Sequence, residues 1–88
     1  MKRRALVNLS RECLKRLMED TVRQYYAEKY WHENPPFSVI TEATNEASQA
    51  VNSMDDNEVL SWTESLFSRE AELTYEEDAS GQYYFSLV

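Results

Sequence analysis

Gly81 is the only glycine among the 88 residues, and the only two prolines, Pro35 and Pro36, are adjacent. Glycine loosens a helix through its backbone freedom; proline breaks one by fixing φ and removing a donor. With so little punctuation, long helices are the natural way to fill the stretches on either side of the proline pair. Hydrophobic spacing asks for three of them.

The first is expected from about Ser10, a good N-cap residue, to about Trp31, because Leu14, Leu17, Met18, Thr21, Val22 and Tyr25 fall on one helical stripe. Asn34, Pro35 and Pro36 stop it. The second is expected over Ser38 to Ser53, where Val39, Ile40, Ala43, Ala47, Ala50, Val51 and Met54 form an alanine-rich stripe that permits close helix approach. The third begins at Asp55, which stands in capping-box spacing to Glu58, and turns Val59, Leu60, Trp62, Leu66 and Phe67 inward against an outer face rich in serine. After Glu70 the period changes to two. Leu73 and Tyr75, a turn over Asp78, Ala79, Ser80 and Gly81, then Tyr83, Phe85 and Leu87 read as a β-hairpin.

An isolated hairpin is marginal in water, so this one must pack on the helices, and Arg4 to Leu9 could supply a third strand. The expected class is therefore α+β: three helices followed by a C-terminal β-hairpin, with a short N-terminal strand as an option. Residues 1–88 are read as a single domain with a modest core. Apolar residues at 42% and eleven aromatics are too many for a disordered acidic tail.

One cysteine, Cys13, excludes an intramolecular disulfide, and one histidine, His32, excludes a Cys/His metal cluster. A reducing cytoplasm and no cofactor are expected. The Met1 to Arg4 start is basic like that of a signal peptide, but Asn8 follows Ala5, Leu6 and Val7 directly, and no run of eighteen apolar residues occurs. Neither secretion by that route nor a membrane span is expected.

Charge is divided along the chain. Residues 1–29 hold eight basic and four acidic residues, net +4; residues 30–88 hold twelve acidic residues and one basic residue, Arg69, net −11. In the first segment Glu12 with Arg16 and Glu19 with Arg23 have the spacing and order of supportive helix pairs, worth a few tenths of a kcal/mol each. In the second, Asp55, Asp56, Glu58, Glu64, Glu70, Glu72, Glu76, Glu77 and Asp78 are the candidate partner-binding residues. Such a surface can dock on a basic groove and imitate nucleic-acid phosphates, which in duplex DNA present a charge about every 1.7 Å of axis. The plain alternative is a solvated face on which Asp55 and Asp56 complement the helix dipole.

Lys2, Arg3, Arg4, Arg11 and Lys15, with Arg16, are the alternative nucleic-acid-binding set, against the plain reading of a short basic N-terminus. Tyr25, Tyr26, Tyr30, Trp31, Tyr83 and Tyr84 are expected mainly as core and core edge, with one or two left as partner anchors. Catalysis is poorly provided for: one histidine at a helix end, no glycine-rich loop, and paired carboxylates, Glu76 and Glu77, that point to opposite faces of a strand. The chain is not expected to be an enzyme.

The run RALVNLSRECLKRLME, Arg4 to Glu19, resembles the opening of ribbon-helix-helix antitoxins and repressors, with a short strand, a serine cap and an amphipathic helix. Phe37 to Val51 would then be the second helix. That resemblance implies a dimer whose basic N-terminus, with Arg4 and Asn8, meets DNA while the acidic part meets a toxin. In size and charge alone the chain is similar to small phage-encoded inhibitors such as anti-CRISPR proteins and other DNA mimics, and to acidic immunity proteins that neutralise cationic nucleases. The expected function is that of a small acidic inhibitor occupying the basic nucleic-acid site of a target protein. The antitoxin and a structural subunit of a larger assembly are the alternatives.

Overall fold

The computed structural model describes residues 2–31, 36–77, 79–80 and 83–88, without the side chains at 77 and 83. Three helices, α1 (Arg3–Lys29), α2 (Phe37–Ser53) and α3 (Asp56–Phe67), precede two strands, β1 (Leu73–Glu77) and β2 (Tyr83–Leu87). The strands pair antiparallel with Tyr75 opposite Phe85 and Leu73 opposite Leu87. Glu72 and Val88 lengthen the ladder by a reciprocal pair of backbone bonds at 3.1 and 2.8 Å. This is the expected α+β order. Of the expected helix stop and hairpin turn, Asn34, Pro35, Asp78 and Gly81 lie outside the described residues.

The N-terminus departs from expectation. Arg4 to Leu9 is helix rather than strand, and Ser10, instead of capping, is buried in mid-helix; Lys2 takes the N-cap position with no side-chain cap bond. Packing outweighs local preference here. Val7 and Ser10 continue the buried line of Leu14, Met18, Val22 and Tyr26 backwards by two turns, giving α1 a single apolar edge from end to end. A third strand in this segment would also have had no edge to join, because the hairpin sits on the Tyr25–Tyr26 end of α1, most of a 27-residue helix away. The N-terminal strand on which the ribbon-helix-helix resemblance rests is therefore not formed.

α1 is the spine, about 40 Å long at 1.5 Å per residue, in a molecule of 46 × 24 × 22 Å. α2 lies against it with Ala43, Ala47 and Val51 fully buried on Leu14, Met18, Val22 and Tyr26, and Tyr75 of β1 completes this cluster. Ala43 and Ala47 leave room for close approach. Ala50, expected on the same stripe, is exposed.

α3 packs on the N-terminal half of α1. Val59 is fully buried, Leu60, Trp62 and Leu66 are half-buried, and Phe67, expected inward, is 64% exposed. The period that turns Phe67 inward is right for an ideal helix, but α3 covers α1 from one side only and ends at this residue. Its end is a Schellman turn: Arg69 sits at φ 59, its N–H bonds Leu66 O at 3.4 Å, and the Glu70 N–H bonds Ser65 O at 3.2 Å. Glycine is the usual occupant of that left-handed position, and here arginine bears the strain.

A candidate acidic surface

Local chemistry places the first three carboxylates. Asp55, extended at φ −74 and ψ 167, caps α3 by accepting the Glu58 N–H at 2.8 Å, as the capping-box spacing leads one to expect. Asp56 in the first turn pairs with Arg11 at 3.3 Å. Glu58 and Glu64 project from α3 into solvent, Glu70 and Glu72 do so in the connection to β1, and Glu76 on β1 accepts the Tyr84 hydroxyl at 2.6 Å. The side chain of Glu77 and all of Asp78 lie outside the described residues.

These groups are not gathered into a cleft. α3 begins beside the start of α1, where Arg3 donates to Asn57 Oδ1 at 2.6 Å, and the hairpin lies on the tyrosines near the end of α1. The carboxylates are therefore strung along the molecule. Asp56 is spent on Arg11, Asp55 on its cap and Glu76 on Tyr84; Glu58, Glu64, Glu70 and Glu72 are exposed and make no ion pair among the described residues. α2 adds two acids beyond the expected set, Glu42 and Glu46, one turn apart on its outer face beside Thr41, Asn45 and Gln49. Partial burial, and then the charge of Glu42, push the Glu46 carboxyl above its ordinary pKa. Their i,i+4 like-charge spacing was the available signal.

Half of the basic set, Arg3, Arg11 and Lys15, is engaged within the fold. Arg11 donates to Val51 O and to Met54 O, the latter at 3.0 Å, and so serves carbonyls at the end of α2, of which Val51 O also accepts the Met54 N–H at 3.2 Å. Arg3 is tied to Asn57, and Lys15 to Glu12 at 3.5 Å. Lys2 and Arg4 are exposed. The expected Glu12–Arg16 and Glu19–Arg23 pairs are replaced by i,i+3 pairs, Glu12–Lys15 and Asp20–Arg23.

Aromatics divide as a core edge and a few exposed rings. Tyr26 is buried against Tyr30 and edge-on to Tyr25, which in turn meets Tyr75 with centroids 5.3 Å apart. The Lys29 ammonium stands 5.7 to 5.9 Å from the centroids of Tyr25, Tyr26 and Tyr30. Among the described residues Trp31 at 75% and Phe37 at 83% are the most open of the large aromatics, and Tyr84 is exposed as well. Tyr83's side chain lies outside the described residues.

Cys13 is half-buried, and His32 lies outside the described residues. Among the described residues no three His, Cys, Asp or Glu side chains are grouped so as to hold a metal ion, and no helix is long and apolar enough to cross a membrane. No family model matches the chain, and neither curated proteins nor solved structures give a significant match to it.

Proposed function

We propose that the chain is a non-catalytic binding protein of the cytoplasm, an inhibitor whose acidic surface occupies the basic nucleic-acid site of a target protein in place of DNA, as phage anti-defence proteins of the anti-CRISPR type do. The observation that carries this reading is the run of exposed carboxylates Glu58, Glu64, Glu70 and Glu72, which make no ion pair among the described residues, on a segment whose only lysine or arginine is Arg69. At 46 Å the molecule is long enough to stand in for roughly a dozen base pairs at 3.4 Å each. The engagement of Arg3, Arg11 and Lys15 within the fold supports the acidic side as the working surface rather than the basic N-terminus.

Association should be fast and salt-sensitive, since steering between exposed charges is screened over about 8 Å at physiological ionic strength. The test is affinity capture from a host lysate at low and high salt, with the captured proteins identified by mass spectrometry and then challenged with duplex DNA. The reading expects nucleic-acid-binding proteins that salt releases, that DNA displaces, and that a Glu58→Lys, Glu64→Lys, Glu72→Lys variant fails to hold. Partners retained at high salt, indifferent to DNA and still bound by the variant, would overturn it and favour an apolar interface within a larger assembly.

A further inference from the structure

Leu6, Leu9, Cys13, Arg16 and Asp20 follow one another at intervals of three, four, three and four residues along the start of α1, and Lys2, its N-cap residue, stands four before Leu6. Residues so spaced form a single seam on a helix, the seam by which coiled coils pair. It lies beside the edge that α1 buries, and within the fold it is largely uncovered: Leu6 is 43% and Leu9 62% exposed, Cys13 is half-buried, and Lys2, Arg16 and Asp20 are exposed. On one flank α3 contributes Leu60, which lines a mainly apolar cleft with Leu6, Ser10, Thr63 and Glu64, and Phe67 two turns further along the same face.

The seam is complementary to itself when reversed. If two copies are laid antiparallel, the layers run Lys2 on Asp20, Leu6 on Arg16, Leu9 on Cys13, and then the same three in reverse order. Opposite charges meet at both ends, the apolar residues fill the centre, and the Arg16 stem can cover Leu6 while its head stays in water. The Asp20–Arg23 pair at 3.4 Å is an open surface pair, 74% and 60% exposed, and Asp20 can share its second oxygen with a partner's lysine. A parallel arrangement would stack Lys2 on Lys2 and Asp20 on Asp20. The two-fold axis relating antiparallel helices keeps α3 on the same flank of both, so that Leu60 and Phe67 widen the contact beyond one helix seam.

We propose that this face of α1 is an isologous interface with a second copy of the chain, antiparallel, with Leu9 of each copy against Cys13 of the other. The seam residues of α1 are not among those of the acidic surface, although Glu64 of that surface stands at the cleft on the α3 flank. Sedimentation equilibrium at about 100 μM should give twice the chain mass, and Leu9→Glu should give a monomer of unchanged far-UV circular dichroism. A monomeric parent protein, or a dimeric Leu9→Glu variant, overturns the proposal.

Register is read by oxidation. Leu9→Cys should form a covalent dimer, because facing positions bring the Cα atoms within the roughly 7 Å a disulfide can span; adding Cys13→Ser should abolish the cross-link. The parent protein should not cross-link, since its two Cys13 residues are four positions, about 6 Å, apart along the axis in addition to the separation of the helices. A covalent dimer through Cys13 alone, or none through Leu9→Cys, overturns the antiparallel register. Lys2→Glu and Asp20→Lys should each weaken the dimer roughly three- to tenfold by breaking two symmetry-related pairs, and the double variant should restore it.

Discussion

Replacing Arg11 tests whether one long-range contact holds the second half of the chain to the first. Its guanidinium donates to two carbonyls at the α2 terminus, Val51 O and Met54 O, and to Asp56 at the start of α3. The side chain is only 19% exposed, whereas Asp56 is 63% exposed. Those two numbers decide the weights. Hydrogen bonds from a charged donor contribute about 1.5–3 kcal/mol each, and a cation at a helix C-terminus adds to the dipole; an ion pair with so open a carboxylate contributes well under 1 kcal/mol. Arg11→Met keeps the apolar stem and removes the fork, leaving Met54 O to find water and Val51 O with the Met54 N–H as its remaining partner, and should cost roughly 1.5–3 kcal/mol, a large share of the stability of a small domain. Asp56→Asn should cost less than about 0.5 kcal/mol. Arg11→Lys should recover about half, because a single ammonium on a narrower reach cannot present the fork to both oxygens. Urea denaturation followed by far-UV circular dichroism reads all three, and the Arg11→Met penalty should persist in high salt because the carbonyl contacts are partly buried. An Arg11→Met loss below about 0.5 kcal/mol, or an Asp56→Asn loss equal to it, would refute the reasoning.

Three further outcomes are expected. Arg69→Gly should stabilise the protein by about 0.5–1 kcal/mol in urea melts, since the left-handed backbone at φ 59 costs arginine what it does not cost glycine. Asp55→Ala should lose about 1 kcal/mol through its bond to the Glu58 N–H, and Asp55→Ser should restore most of it. Glu46 titrates above its ordinary value in the fold, through partial burial and then Glu42, so the folded state binds its proton more tightly than the unfolded chain. Its contribution is therefore greatest in acid and declines as pH rises through the carboxylate range; Glu46→Gln should match the parent protein in acid and exceed it at neutral pH when urea midpoints are compared across that range.

What was legible in the sequence was local. Asp55 was readable as a cap because an aspartate and the N–H three residues on are neighbours whatever the rest of the chain does. The hairpin was readable because Leu73, Tyr75, Phe85 and Leu87 alternate and pair in that order. Ser10 misled for the complementary reason. A serine before an apolar periodic run is a good cap in isolation, but Val7 and Ser10 bury themselves against α3, an element some fifty residues away, and that burial extends the helix. Arg11 was unreadable on the same ground, its acceptors standing 40 and 43 residues on, so a residue that looked like part of a basic patch turned out to terminate α2. Of the acidic site, the exposure of Glu64, Glu70 and Glu72 followed from composition, while the diversion of Asp56 to Arg11 did not.

The same local preference conceals the seam. With the helix expected to begin at Ser10 and Arg4 to Leu9 left as an optional strand, Leu6 and Leu9 have no geometric relation to Cys13 or Arg16. Once the helix runs from Arg3, the intervals from Leu6 to Asp20 become a single line with Lys2 at its capped end, and Leu6 and Leu9 become conspicuous as leucines that the fold leaves open although Val7 and Leu14 beside them are buried. Scattered exposed leucines need no explanation on their own. What asks for one is that these continue, at heptad spacing, into residues of opposite charge at equal distances from the centre, a pattern that core packing does not require and that antiparallel self-association would use.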